Sequence, residues 1–228
     1  MHDLSTLRGR AGVDIVLLLV LASIATALQC FPNLGEMLQW QRDAGWLVGL
    51  LTSVTGHLTH WSWDHFLWDI LAFLGLGWTA IRLVPGRITS CLLLSTILIP
   101  LEIALFRPEF STYRGLSGLD SALFGLLLAG LWRRGKMGKL LFLSGLTVFL
   151  GKAGYELVTG ETLFVDHEAS GFAPVPSAHL VGLFCGLLAG NEKIRTLVRF
   201  FGTPPQCVQK GKTKETELTP GSSNRSRS

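Results

Sequence analysis

Six apolar stretches dominate this chain, and each is close to the length that crosses a lipid bilayer as a helix. A helical span needs about 20 mostly apolar residues. Charged residues make up 16% of the chain, whereas a soluble domain of ordinary composition carries about 25%. The sequence therefore predicts an all-α polytopic membrane protein. The predicted spans are residues 12–31, 64–81, 88–106, 116–132, 139–158 and 176–190.

The charge of the connecting segments alternates along the chain and predicts its orientation. Arginine and lysine are concentrated before span one, between spans two and three, between spans four and five, and after span six. Positively charged segments stay on the cytoplasmic side of a membrane, so both termini should be cytoplasmic. This bias also explains the net charge of +4, and no nucleic-acid partner is needed to explain it. The predicted divisions are a cytoplasmic segment 1–11, a membrane domain 12–192 in contact with lipid, and a basic tail 193–228.

Two segments outside the spans carry predictions of their own. Residues 33–63 form a long outer loop that is rich in tryptophan, a residue that prefers the membrane interface. Within it, WLVGLLTSV at 46–54 is expected to form a short helix in the interface. The polar, Pro- and Ser-containing sequence from about residue 203 is expected to be disordered.

Polar and ionisable side chains within the spans are costly in lipid, so each is a candidate for function. Given the predicted orientation, all of them lie in the outer half of the membrane, and one outward-open cavity is expected to collect them. Structural explanations remain open for some, because acids and small polar residues suit the first turn of a helix and a one-turn Lys–Glu pair stabilises a helix. The set is His65, Asp69, Glu102, Ser117, Asp120, Ser121, Lys152, Glu156 and His179.

Stripes of small residues on spans four and six predict that these two helices touch. Spacings of three and four place each stripe on one helical face, and small faces let membrane helices pack backbone to backbone. Ser117 adjoins the first stripe and His179 the second, so a hydroxyl nucleophile can meet a general base. The N–H groups of Ser117 and Gly118 at the start of a helix could stabilise an oxyanion. The stripes are Gly118, Ala122, Gly125 and Ala129, and Ala178, Gly182, Gly186 and Ala189.

Three motifs resemble those of rhomboid intramembrane proteases. GLSG at 115–118 and AHLVG at 178–182 are similar to the serine and histidine motifs of that family, and HWSWDHFLWD at 60–69 is similar to its span-two motif. The resemblance covers residues 10–192. It implies a bundle of six transmembrane helices, a Ser117–His179 dyad with no third acid, no cofactor or metal, and transmembrane protein segments as substrates. It also implies that His65 donates to the oxyanion together with the Ser117 amide.

Two positions depart from the rhomboid pattern. Asp69 stands where rhomboids usually have asparagine, and an ionised carboxylate cannot donate to an oxyanion. Asp69 is therefore expected either to be protonated and donate, or to orient His65 without meeting the substrate. Ser121 stands where rhomboids often have a tyrosine that stacks on the histidine.

A narrower resemblance concerns the end of span five. KAGYELVTG at 152–160, followed by VPSAHLVG at 175–182, is similar to the rhombosortase branch of the family. That branch implies a bacterial inner-membrane enzyme with its site facing the periplasm or the outside. Its substrates would be secreted proteins anchored by a C-terminal sorting signal with a glycine-rich motif, an apolar helix and a basic end.

Two other classes of function remain open from the residues. A membrane metal-dependent hydrolase could use His57, His60, His65 and Asp69 as ligands, although no second histidine cluster follows and zinc catalysis usually needs three protein ligands plus water. A non-catalytic rhomboid relative could bind membrane segments without cutting them. Such relatives typically lack the serine or the histidine, and both are present here.

Overall fold

A computed structural model describes residues 4–162 and 174–191 of the chain. The described residues form eight α-helices, two short strands and one 3-10 turn at Gly56–Leu58, which confirms the predicted all-α architecture. The predicted disordered tail lies outside these ranges. The elements are α1 (Leu4–Gln29), α2 (Pro32–Leu38), β1 (Trp40–Gln41), α3 (Trp46–Thr55), α4 (Trp63–Leu83), α5 (Ile88–Phe106), β2 (Thr112–Tyr113), α6 (Ser117–Trp132), α7 (Gly135–Thr159) and α8 (Pro176–Gly190).

The six long helices coincide with the six predicted spans. Five of them agree with the prediction to within a few residues at each end, whereas α1 begins at Leu4 rather than at residue 12. A helix can continue beyond the lipid, because its backbone hydrogen bonds do not depend on apolar side chains. Apolar length locates the spans but does not limit the helices that contain them.

Helices α6 and α8, whose first turns carry Ser117 and His179, are shorter than a full span. Among the described helices, α1, α4, α5 and α7 are long and apolar enough to cross a membrane. In contrast, α6 has 16 residues and α8 has 15. At 1.5 Å per residue, each is about 23 Å long, against about 30 Å for the hydrocarbon layer. Helix α6 is surrounded by neighbouring helices, whereas α8 still exposes Leu180 and Phe184.

Helix α6 is the centre of the bundle and packs against α4, α5, α7 and α8. Its apolar residues are buried on nearly every side, including Leu119, Leu123 and Leu126. The outer helices differ, since α1 and α7 expose many large apolar side chains, such as Val16 and Val148. In a membrane protein such side chains contact lipid, so the burial pattern distinguishes the core helix from the peripheral ones.

The predicted contact between the small-residue stripes is present along α6 and α8. A Cβ atom added to Gly182 or Gly186 would collide with the backbone oxygen of Gly118 or Ala122. One added to Gly125 would collide with the backbone oxygen of Leu183. The two backbones touch over about two turns, so the order of residues along one helix fixes which residues of the other lie opposite.

The long outer loop has more structure than the sequence predicts. The short helix predicted at 46–54 is present as α3, and its first residue, Trp46, is 82% exposed. Strand β1 pairs with β2 in antiparallel register, with Trp40 opposite Tyr113. Arg42 donates hydrogen bonds to the carbonyl oxygens of Ile103, Ala104, Arg107 and Phe110, at distances of 2.6 to 3.0 Å. The guanidinium thereby caps the end of α5 and the turn that follows it, and it fastens the loop to the bundle.

At the opposite end of the bundle, two charged residues satisfy helix termini. Asp14 of α1 is buried and accepts hydrogen bonds from the Gly86 N–H at 2.8 Å and from Thr89, just after the start of α5. Arg87 donates to the Ala189 carbonyl oxygen at 2.7 Å, near the end of α8. These bonds hold three helices at the end farthest from the candidate site.

Candidate active site

A cavity of about 490 Å³ opens between the early residues of α4, α6 and α8 and the late residues of α7. Both Ser117 and His179 line it, because the close packing of α6 on α8 sets the first turns of these helices side by side. Their side chains form no hydrogen bond to each other, although both residues lie in the described part of the chain. Such bonds are often long or absent without substrate and tighten when it binds. From the predicted polar set, the cavity is also lined by His65, Asp69, Asp120, Ser121, Lys152 and Glu156.

Ser117 is the first residue of α6, and a glycine two residues before it shapes the approach. Gly115 has a φ angle of +122°, a conformation that residues with a side chain rarely adopt. A Cβ atom at this position would lie 2.9 Å from His65 Nε2 and 3.3 Å from Asp69 Oδ2. The glycine is needed both for the turn and for the close approach of α4 to the start of α6.

Asp69 is bound to the backbone of the candidate nucleophile. Its Oδ2 atom accepts a hydrogen bond from the Ser117 N–H at 3.1 Å. The same oxygen lies 3.2 Å from His65 Nε2 and 3.4 Å from His60 Nε2. The Ser117 N–H can only donate, so Oδ2 is the acceptor of that bond, whereas the imidazole nitrogens can take either role and His60 Nε2 also accepts from the Leu116 N–H at 3.4 Å. This geometry favours the alternative in which Asp69 orients His65.

One of the two backbone N–H groups expected to stabilise an oxyanion has a partner in this structure. The Ser117 N–H is bonded to Asp69. The buried Tyr113 hydroxyl, which lies next to Gly118, donates to the Gly115 carbonyl oxygen at 3.4 Å. An oxyanion at this helix terminus would therefore have to share or displace Asp69.

The base candidate His179 has an acidic neighbour that the rhomboid resemblance did not imply. Its Nδ1 atom lies 3.2 Å from Oε2 of Glu156, which is 2% exposed. The other carboxylate oxygen of Glu156 accepts a hydrogen bond from Lys152 Nζ at 2.6 Å. A serine, a histidine and a carboxylate are thus distributed over α6, α8 and α7 around one cavity.

The sequence model of the rhomboid domain matches residues 44–195, about two thirds of the chain. This chain belongs to the rhomboid family. The matched segment contains α3 through α8 and every residue of the cavity described above. Members of this family are intramembrane serine proteases, which agrees with the apolar helices and with an interior polar cavity. A comparison with curated proteins finds no significant match.

One member of the predicted polar set does not join the rhomboid cavity. Glu102 near the end of α5 does not line the cavity and instead pairs with Arg107 at 3.1 Å. The expectation of one cavity for the whole set was wrong for this residue. The position of a residue along a span predicts its depth in the membrane. The direction of its side chain depends instead on how the helix is rotated in the bundle.

Asp120 and Ser121 line the cavity, and Ser121 also has a local role in α6. The Ser121 hydroxyl donates to the Ser117 carbonyl oxygen at 2.8 Å, so it is used within the helix and does not stack on His179 as the tyrosine of other rhomboids would. Asp120 is buried in the first turn of α6, and its Oδ1 atom has no hydrogen-bond partner among the described residues.

The histidines before α4 are packed into the protein rather than gathered around one centre. The His57 ring lies edge-on to Tyr113 at 5.3 Å between ring centroids, and burial lowers the pKa of His57 to about 4. Within residues 4–162 and 174–191, no three His, Cys, Asp or Glu side chains are grouped to hold a metal ion. His60 was considered in the sequence only as a metal ligand, yet it is a direct neighbour of Asp69.

Proposed function

We propose that this rhomboid protein is an intramembrane serine endopeptidase that cleaves transmembrane segments near the outer face of the membrane. Ser117 is the nucleophile and His179 is the general base. The observation that carries the proposal is the backbone-to-backbone packing of α6 on α8, which brings both residues into one cavity. A hydroxyl and an imidazole that line one cavity supply the nucleophile and the general base that acyl transfer uses.

The proposed reaction has two acyl-transfer steps. The Ser117 Oγ atom attacks the carbonyl carbon of the substrate and its proton passes to Nε2 of His179. The C–N bond then breaks, and His179 returns the proton to the leaving amine. In the second step a water attacks the ester, His179 accepts its proton, and the Ser117 hydroxyl is regenerated as the carboxylic product departs.

Donors near the start of α6 support the negative charge that develops on the substrate oxygen. His65 and the N–H groups of Ser117 and Gly118 are the proposed donors, and the positive end of the α6 dipole adds to their effect. Asp69 accepts from the Ser117 N–H and lies beside His65 in the absence of substrate. We propose that it orients His65 and yields the Ser117 N–H to the oxyanion.

Asp69→Asn should retain cleavage activity or increase it. The amide oxygen can still accept from the Ser117 N–H, while the amide nitrogen provides the donor that other rhomboids have at this position. The measurement is the initial rate of cleavage of a transmembrane peptide by purified protein in proteoliposomes. Asp69→Leu is the matched control and should lose activity, by about 100-fold if an oxyanion donor is misplaced. Inactivity of Asp69→Asn would mean that the carboxylate itself is required.

The apolar part of the cavity provides a route for a substrate helix. Trp68, Ala72 and Leu76 of α4 line one side, and Phe149 of α7 lines another. We propose that a membrane segment enters between α4 and α7 and unwinds in the polar region near Ser117. Glycine destabilises a helix by about 1 kcal/mol relative to alanine, so glycine-rich segments are the preferred targets.

The substrates that fit best are secreted proteins with a C-terminal sorting signal, as the rhombosortase-like sequence at the end of α7 indicates. The enzyme would lie in a bacterial inner membrane with both termini in the cytoplasm and the cavity facing the periplasm or the outside. In this arrangement residues 1–11 and 193–228 are cytoplasmic, and residues 12–192 form the membrane domain. The alternating loop charges support this orientation.

Deletion of the gene should change the C-termini of secreted proteins that carry a glycine-rich signal, an apolar helix and a basic end. Mass spectrometry of surface and secreted proteins, with and without the gene, measures the change. We expect the signal to remain attached in the deletion strain and to be removed when the wild-type gene, but not Ser117→Ala, is returned. Release of the cleaved protein to the outside also tests the orientation. If only unrelated single-span proteins changed their processing, the result would support a general rhomboid protease and contradict the proposed role in removing sorting signals.

A further inference from the structure

We propose that Glu156 is a positioning residue for His179, so that this rhomboid protein works with a Ser–His–Glu arrangement rather than with a serine and a histidine alone. The inference rests on the proposed protease function and extends it. It starts from the 3.2 Å contact between Glu156 Oε2 and His179 Nδ1, which joins α7 to α8. Glu156 and His179 both line the same cavity as Ser117.

The contact defines which nitrogen of His179 is available as a base. A carboxylate accepts hydrogen bonds and cannot donate, so its neighbour Nδ1 carries the proton. Nε2 then has a free electron pair, which is the form needed to accept the Ser117 proton. When His179 takes up that proton it becomes a cation, and the Glu156 carboxylate stabilises it. Glu156 remains ionised throughout and forms no bond to the substrate.

Lys152 explains how the bundle can keep an ionised carboxylate at this place. Glu156 is 2% exposed, and an unpaired charge so deeply buried would be strongly destabilising. The Lys152 ammonium, 2.6 Å from Oε1, supplies the opposite charge. This contact leaves Oε2 for His179. One oxygen of the Glu156 carboxylate therefore contacts the Lys152 ammonium on α7, and the other contacts the His179 imidazole on α8.

A purely structural role for the Lys152–Glu156 pair would explain the contact of Oε1 with Lys152 but not the contact of Oε2 with His179. Residues four apart on a helix can form such a pair on any exposed face, without burial and without a third partner. Here the pair points into the cavity, and its second oxygen meets His179. A positioning role predicts an effect on the rate of the chemical step, whereas a structural role predicts an effect on folding.

The test compares Glu156→Gln, Glu156→Asp and the double variant Lys152→Met/Glu156→Gln in proteoliposomes. The readouts are kcat and KM for a transmembrane peptide substrate, the labelling rate of Ser117 by a fluorophosphonate probe, and the thermal unfolding midpoint. Glu156→Gln should lower kcat by about tenfold or more, toward the about 10⁴-fold loss found for the equivalent change in soluble serine proteases. KM should stay within about twofold, because no substrate contact is removed.

The other variants separate positioning from stability. The double variant removes the buried ion pair without leaving an unpaired charge, so it should unfold near the wild-type midpoint and still have the low kcat. Glu156→Asp should recover part of the rate, since it restores the negative charge at a longer distance. Glu102→Gln is the matched control, because that acid pairs with Arg107 outside the cavity. Its kcat should stay within about twofold of the wild type.

The outcomes distinguish this inference from the function on which it rests. A stable double variant with wild-type kcat and Ser117 labelling would overturn the role of Glu156 and leave the protease function intact. A wild-type protein that neither cleaves nor reacts at Ser117 would overturn the protease function and the role of Glu156 with it. Low kcat and slow labelling in a double variant that unfolds normally would support both.

Discussion

Replacement of Ser117 by alanine is expected to abolish cleavage while the protein still accumulates in the membrane. The hydroxyl is the protein group that forms a covalent bond to the substrate carbonyl carbon in the proposed reaction, so its removal eliminates the acyl-enzyme route. Loss of the nucleophile in a serine protease lowers kcat by a factor on the order of 10⁶. His179→Ala should have a similar effect, because without the base the hydroxyl is a poor nucleophile. Quantitative cleavage of a transmembrane peptide in proteoliposomes measures both.

Ser95→Ala is the matched control for the serine variant. Ser95 is also a helical serine, but it is buried, its hydroxyl is bonded to the Cys91 carbonyl oxygen and it does not line the cavity. Its loss should leave the rate nearly unchanged. Chelator treatment of the wild type tests the alternative function of a metal-dependent hydrolase, because such an enzyme would lose its activity with its metal. Full cleavage by Ser117→Ala, or loss of wild-type activity in chelator, would contradict the serine mechanism.

Gly182→Ala is expected to cause the second large loss, although it adds only one methyl group and removes no chemical function. The new Cβ would collide with the Gly118 carbonyl oxygen and would lie 3.1 Å from Ser121 Cβ. These atoms belong to the backbone and the rigid first turn of α6, so they cannot move aside as a flexible side chain would. Overpacking of this kind costs about 1–3 kcal/mol. It would also move His179 relative to Ser117, and a 1 Å misplacement can cost about 100-fold in rate.

The same substitution on another face of the bundle provides the control. Gly75 of α4 has nothing within 4 Å of the position that a Cβ would occupy, so Gly75→Ala should leave stability and kcat close to wild type. Unfolding in detergent and cleavage in proteoliposomes are measured for both variants. Equal behaviour of Gly182→Ala and Gly75→Ala would mean that the close contact of α6 and α8 does not set the geometry of the site.

The location of the long helices and the contact between α6 and α8 were predictable, because a lipid environment restricts which sequences can cross it and how their backbones can pair. An apolar stretch that crosses a membrane must form a helix, since its backbone groups have no other partners. The stripes along spans four and six predicted the α6–α8 contact, because spaced glycines in a membrane helix lower its stability unless a second backbone uses the space. That contact is enough to bring Ser117 and His179 together, so the centre of the candidate site could be proposed from sequence alone.

The partners of the candidate site residues were decided only by the tertiary structure. The Glu156–His179 contact joins residues 23 positions apart, and the bond from the Ser117 N–H to Asp69 joins residues 48 positions apart. In the sequence, Lys152 was a sufficient local partner for Glu156, and Glu102 was as good a candidate for the cavity as any other acid.

The sequence by itself therefore determined which long segments are helical and which two helices pack closest. It did not determine the rotation of α5 and α7 about their axes, which turned Glu102 away from the cavity and Glu156 toward His179. It also did not determine the fastening of the outer loop by Arg42 to the end of α5. Rotation and loop position follow from the simultaneous packing of all the helices, and no single segment encodes them.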